Sequence, residues 1–514
     1  MSVRTFAAIM VGSYEISMKI FEFSSHKKMR EIDCIRQKIE LGTDTYATGK
    51  ISYGRVDELC AVLCEFQEIM KSYQVDAYKA YGTSAIRETE NTAIILDQVR
   101  QRTGIEVSVL SNSEQRFLDY KSTATREEAF RKMIGKGTAI VDIGGGSIQI
   151  SLFDADRLVT TQNMRLGVLR VRESLLKMGA RPARYEALID EMVSTQLEVF
   201  RKLYLNDRAI KSLTLVDDYV SVMMSRHIER NGTEDYVRAE DFNHFVERIR
   251  NHNAGELARA LDLTEEDAFL MFISSVMTNR MLKVMKAEIL WAPGVTLMDG
   301  MAYEYAEKNK IFVPEHDFEQ DIIACAQNIS KRYKGSKKRG ETLEQICLTI
   351  FDSMKRVHGL GKRERLLLRL AVLLHDCGKY ISMVNVGECS YSIIMATEII
   401  GLSHREREIV ASVVKYIHLD FAYYKEQGKS TDLDQQAYLT VAKLVAILRV
   451  ANGLDRSHKQ KFKYIKALLK EDKLILTVDT TEDITLEKGL FDNKADFFEE
   501  VFSIRPVIKQ KKVF

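Results

Sequence analysis

Three consecutive glycines set between two apolar runs constrain this chain more than any other feature. Residues 139–142 and 148–153 read as short strands, and Asp142-Ile143-Gly144-Gly145-Gly146-Ser147 joins them. A hairpin turned through glycine has no Cβ atoms in the way, so a phosphate can approach its backbone N–H groups closely. Asp142, at the end of the first strand, is positioned to hold Mg²⁺ or to orient an attacking water. Ser147 can donate to a phosphate oxygen. A tight hairpin with no ligand is the alternative.

A second hairpin of this kind lies near the N-terminus, where Gly12-Ser13 separates residues 7–11 from 16–23. Two phosphate hairpins facing one cleft is the two-lobed plan of actin-like (ASKHA, ribonuclease H-like) folds. The surrounding pattern agrees with an α/β class. Apolar residues at Leu59, Val62, Leu63, Phe66, Ile69, Met70 and Tyr73 have a helical period. Residues 75–81 and 106–110 read as strands, and residues 298–310 as a helix. After Pro314 the chain turns helical, with amphipathic segments at 342–354, 364–374, 391–400 and 406–417. Residues 473–478 read as a strand and 494–502 as a short helix, a small α+β cap. The expected domains are 1–125 and 126–312 for two lobes, 313–460 for a helical domain and 461–514 for the cap.

A chain of 514 residues exceeds what one core organises. With 75 basic and 73 acidic residues its net charge is +2, which gives no reason to expect a nucleic-acid partner. Seven scattered cysteines without paired metal-ligand spacing read as reduced thiols. The first ten residues lack a signal-peptide pattern, and no apolar run approaches membrane-spanning length. A cytoplasmic protein with no membrane partner is expected.

Taken together, the motifs resemble the exopolyphosphatase/guanosine pentaphosphatase (Ppx/GppA) phosphatase family over nearly the whole length. Ile9-Met10-Val11-Gly12-Ser13 resembles its opening Ile-Asp-x-Gly-Ser. Tyr81-Gly82-Thr83-Ser84-Ala85-Ile86-Arg87 resembles its Ala-Thr-Ser-Ala-x-Arg segment. Residues 142–147 match its Asp-x-Gly-Gly-Gly-Ser, and Met164-Arg165-Leu166-Gly167 the short motif after it. The resemblance implies a homodimeric, Mg²⁺-dependent hydrolase that removes terminal phosphate from polyphosphate or from guanosine pentaphosphate. It implies phosphate binding by Gly12, Ser13, Arg87, Gly144, Gly145, Gly146 and Ser147, since backbone N–H groups and guanidinium both suit phosphate. A solvated surface arginine is the alternative for Arg87.

The chain departs from this pattern at the chemistry. The first motif's Asp is Met10, and a thioether is no ligand for Mg²⁺. The Glu that follows Gly-Gly-Gly-Ser-Thr in the family, a metal position beside Asp142, is Gln149 here. The catalytic Glu falls on Gln115 without a gap, or on Glu114 with a one-residue gap. Asp217-Asp218 stands near the family's second-lobe Gly-x-Gly-Gly-Thr loop, and Leu297-Met298-Asp299-Gly300 replaces Leu-Arg-Glu-Gly.

His375-Asp376 ends an apolar helical run and fits the metal-binding pair of an HD-type domain. Residues 448–457 resemble the late segment of such a domain. The rest of the ligand set is thin: the early His falls near Thr342, His418 is a further candidate, and the late Asp aligns with Asn452, three residues before Asp455. Lys331, Arg332, Lys334, Lys337, Lys338 and Arg339 form a basic cluster, read either as a guide for an anionic chain or as a solvated helix end. Three functions remain open: a phosphohydrolase of weakened activity, a catalytically inactive sensor of polyphosphate or nucleotide, and an HD-dependent phosphohydrolase.

Overall fold

The computed structural model describes residues 4–24, 29–205, 208–216, 219–220, 224, 236–250, 252, 254–424, 433–462 and 464–511. It divides into two compact units, Met1–Phe318 and Glu319–Phe514.

The first unit is built on two sheets. One contains β1 (Arg4–Val11), β2 (Glu15–Phe23), β3 (Met29–Lys38), β4 (Ala77–Gly82) and β5 (Val107–Val109), in the order β3-β2-β1-β4-β5. The other contains β6 (Thr138–Ile143), β7 (Ile148–Asp154), β8 (Arg157–Met164), β9 (Ser212–Val216), β10 (Tyr236–Arg238) and β11 (Ile289–Trp291), in the order β10-β11-β9-β6-β7-β8. The plan repeats. In each sheet an antiparallel hairpin and a third antiparallel strand come first, and then a strand runs parallel to the first one, β4 beside β1 and β9 beside β6. Strands buried on both faces read as continuous apolar runs, and Ile148, Ile150 and Leu152 are fully buried beside Val141 and Ile143.

Each sheet has its own core. The helix Tyr53–Ser72 buries Leu59, Leu63, Phe66 and Met70 with the first sheet. The helix Glu265–Met285 joins the core of the second. The helix Leu297–Lys308 lies against the helix Asn112–Thr123, and Gly300 makes that approach possible, because a Cβ there would strike the Leu118 carbonyl. The outcome is a mixed α/β core of two lobes.

The second unit packs the helices Lys337–Ser353, Lys362–Leu374, Val386–Ala396, His404–His418 and Gln435–Leu454. The last is long and apolar enough to cross a membrane, with a mean hydropathy of 1.4, and 72% of that stretch is buried inside the fold. The helix expected at 391–400 starts earlier and ends at Ala396. The C-terminal region holds more structure than one strand and a short helix. β12 (Tyr464–Lys470), β13 (Lys473–Asp479) and β14 (Arg505–Lys511) form a sheet with β13 in the middle, and the helix runs from Thr485 to Phe502. β12 and β14 are edge strands rich in lysine, so their sequences look like loop.

Candidate active site

The two glycine hairpins meet. Gly12 N–H donates to Glu15 O at 3.0 Å in one turn, and Gly144 N–H to Ser147 O at 3.0 Å in the other. A Cβ at Gly145 would lie 2.9 Å from Ser13 Cβ, and one at Gly146 would strike the Tyr46 hydroxyl. The glycines of the second hairpin therefore let it sit directly on the first lobe. Ser13 Oγ is bonded to Tyr46 Oη at 2.9 Å and to Ser84 Oγ at 2.9 Å. Arg170 lies over the Tyr46 ring at 4.0 Å, donates to Gly146 O at 2.7 Å and pairs with Glu88. Burial tends to raise the Glu88 pKa, but hydrogen bonds from Arg165 and Arg170 outweigh it and hold this carboxyl below its ordinary range.

Beside this junction is a cavity of about 300 Å³. Its lining includes Gly12, Ser13, Ser84, Gly144, Gly145 and Ser147 together with Gln115, Asp119 and Asp142. Met10 forms part of the wall. Among the described lining residues Arg36 is the one basic side chain, against the carboxyls of Glu15, Asp119, Asp142 and Asp267. Tyr14 and Tyr219 both line it, in tilted contact with ring centroids 6.1 Å apart, and the Tyr14 hydroxyl bonds Asp267.

The helix Asn112–Thr123 separates the two candidates for the catalytic position. Glu114 turns back to its own helix end, where its carboxylate accepts from Ser111 N–H at 2.9 Å in a reciprocal cap with the Ser111 side chain. Gln115 faces the cavity and donates from Nε2 to Asp142 Oδ2 at 3.0 Å. Arg87 does not line the cavity; it donates to Leu110 O at 2.7 Å and to Gln115 Oε1 at 3.4 Å. Gly146 likewise lies outside the lining, behind Tyr46.

Gln149 stands opposite Asp142 in the β6–β7 register and is 1% exposed, and neither of its amide atoms has a hydrogen-bond partner. Asp119 is buried at the cavity wall. Burial, then the charge and hydrogen-bonding reach of Asp142, push its pKa well up, against a smaller pull from Arg116. Among the described residues no group of three His, Cys, Asp or Glu side chains converges on a metal-sized space. Oxygen donors of the kind Mg²⁺ takes are nonetheless at hand in Asp142 and in the orphaned amide oxygen of Gln149. Asp217-Asp218 lies outside the described residues.

Residues 20–309 match the model of the Ppx/GppA phosphatase family, and residues 323–495 that of Ppx/GppA phosphatase domain III. The chain belongs to the Ppx/GppA phosphatase family. A guanosine-5'-triphosphate,3'-diphosphate pyrophosphatase of Photobacterium profundum is 21% identical over 496 residues, 92% of this chain and 91% of that protein. Exopolyphosphatase 1 of Mycobacterium tuberculosis is 24% identical over 190 residues, 36% of this chain and 53% of that one. The crystal structure of the Aquifex aeolicus Ppx/GppA family member superimposes with a TM-score of 0.51 at 17% identity, over 60% of this chain and 99% of that one. An exopolyphosphatase from Cytophaga hutchinsonii also gives 0.51, at 16% identity, with the same coverage. These likenesses support the fold of the two-lobed core.

In this Ppx/GppA protein the second unit brings His375 and Asp376 together, and among the described residues no third His, Cys, Asp or Glu joins them. His375 Nδ1 donates to Val372 O at 2.7 Å, and Nε2, buried without a partner, lies 3.9 Å from Asp376. His418 donates to the His375 carbonyl at 2.9 Å. The late positions are taken by an internal cation: Arg339, 5% exposed, bonds Asn452 Oδ1 at 2.7 Å and Asp455 Oδ2 at 3.3 Å. Arg339 thus does not belong to the exposed basic cluster read from the sequence; Lys331, Arg332, Lys334, Lys337 and Lys338 are exposed. Tyr46, Asp119, Arg170 and Asp267 carry no local motif in the sequence and come to the cleft or its junction only through tertiary packing, whereas Tyr14 and Tyr219 lie beside motif segments that do not themselves mark them.

Proposed function

We propose that this protein is a phosphohydrolase that removes the terminal phosphate of polyphosphate or of a guanosine polyphosphate. The observation that carries this is Asp142, at the end of β6, with its carboxylate at a cavity walled by the glycine hairpins of both lobes. Backbone N–H groups of the hairpins and the Ser147 hydroxyl would bind the terminal phosphoryl group, and the apolar and tyrosine wall would keep bulk solvent away while the attacking water is held in place. Among the described lining residues one basic side chain stands against four carboxyls, which is little positive charge for a polyanion. This favours the Mg²⁺ implied by family membership, which would be held by Asp142 with Gln149 and would neutralise phosphate charge when bound. That the relatives include an exopolyphosphatase and a guanosine-5'-triphosphate,3'-diphosphate pyrophosphatase supports the substrate class. The seven cysteines are all free thiols, which supports a cytoplasmic setting, and a homodimer remains part of this reading.

The test is phosphate release from purified protein with Mg²⁺, offered long-chain polyphosphate or guanosine pentaphosphate. Release that falls at least about 100-fold in Asp142→Asn is expected. No release, or release unchanged by that variant, overturns the proposal. The sensor reading is favoured by Met10 and by the neutral Gln115 amide on Asp142; it predicts ligand binding without turnover. An HD-dependent activity has less support, because Arg339 holds the late ligand positions.

A further inference from the structure

The cavity contains a carboxylate with no counterpart among the motif positions. Asp119 follows Gln115 by one helical turn on the helix Asn112–Thr123, so both project from the same face. Both line the cavity with Asp142. Asp119 is 4% exposed, and no N–H donor of the protein satisfies its Oδ2, the Asp142 carboxyl being the group within hydrogen-bonding reach. A buried polar atom left in this state is rare, and it marks a position that expects another molecule. At position 115 the opposite holds. The Gln115 amide is engaged at both ends, by Asp142 and by Arg87, and contains no atom basic enough to accept a proton from water.

From this geometry we propose that Asp119 is the catalytic carboxylate that activates water in this cleft, the function having moved one helical turn from position 115. The inference rests on the hydrolase reading above. A water held between Asp119 and the terminal phosphoryl group attacks phosphorus. A new P–O bond forms, the bond from phosphorus to the bridging oxygen breaks, and its electron pair stays on the shortened chain. The proton leaving the water passes to Asp119 Oδ2 and from there to solvent. Gln115 holds Asp142 in place, and Arg87 holds Gln115.

The experiment compares wild type, Asp119→Asn and the double variant Asp119→Asn/Gln115→Glu. The readouts are phosphate release from polyphosphate with Mg²⁺, binding of tripolyphosphate by calorimetry, and the thermal midpoint. Asp119→Asn keeps the size and hydrogen-bonding shape of the side chain. It is expected to lower kcat by about 10²- to 10⁴-fold with KM and tripolyphosphate binding little changed. The double variant returns a carboxylate to the same helix face and is expected to regain at least about tenfold of the loss. Wild-type turnover that persists in Asp119→Asn overturns this proposal and leaves the hydrolase reading standing. No turnover in wild type overturns both. If Asp119→Asn also lowers the thermal midpoint, the double variant decides: regained kcat supports the proposal, and none overturns it.

Discussion

Gly300 shows how one missing methyl group can set a contact between elements. Its Cα passes so close to the Leu118 carbonyl that a Cβ would overlap rigid backbone. Gly300→Ala must push apart the helices Leu297–Lys308 and Asn112–Thr123, and the latter carries Gln115 and Asp119. A loss of about 3 kcal/mol is expected, read as a lower urea midpoint at unchanged slope. At this scale the sequence was partly legible. Gly12, Gly144 and Asp142 sit in local motifs whose spacing is fixed by the turn, and they line the cavity. Tyr46 and Ser84 reach Ser13 from 33 and 71 residues away, and no periodicity records such a meeting. Between Glu114 and Gln115 the alignment could not choose. Helix capping separates them in space, because a Glu three residues after a Ser cap is drawn back to the helix end.

Among elements, the two lobes of the first unit are tied by a polar clamp built on Arg172. This side chain, on the helix Val168–Lys177, reaches Glu40 of the first lobe at 3.0 Å and also pairs with Glu266 on the helix Glu265–Met285. Lys38 of β3 pairs with Glu266 as well. Burial alone would raise the Glu40 pKa; hydrogen bonds involving Glu266 and Arg172 hold it at about 2. Arg172→Met takes the cation away from Glu40 and leaves Glu266 with Lys38 alone. A loss of about 2–3 kcal/mol is expected, since one partner of a largely buried pair remains uncompensated. The Glu40 carboxyl should then titrate at higher pH, which side-chain NMR reads directly; an unmoved titration would contradict the clamp. Strands and helices with strong apolar patterning were legible, as in β1, β2, β6, β7 and the helix Tyr53–Ser72. The edge strands β12 and β14 were not, because lysines that guard an open sheet edge erase the apolar alternation.

For the whole molecule, acid sensitivity gathers in the second unit. His358, His375, His418 and His458 all have lowered pKa values, with burial the largest cause in each. His375 is driven to about 4. These rings are neutral in the fold and take protons once the chain unfolds. The unfolded state therefore binds more protons as pH falls below 6.5, so stability is full above that value and is lost toward pH 4. The His375 contribution alone is roughly 2 kcal/mol at pH 5. The thermal midpoint of the wild type should fall between pH 7 and pH 5. His375→Gln should flatten that fall, and an equal fall in the variant would contradict the assignment. Family membership and the α/β class were determined by the sequence itself, because strand–glycine–strand turns and helical periods are local and their order along the chain is preserved. Which carboxylate faces Asp142, what closes the hairpins onto each other and what holds Asn452 and Asp455 were decided only by tertiary structure. Those contacts join residues far apart in the chain, and burial, which no local pattern encodes, sets their charge.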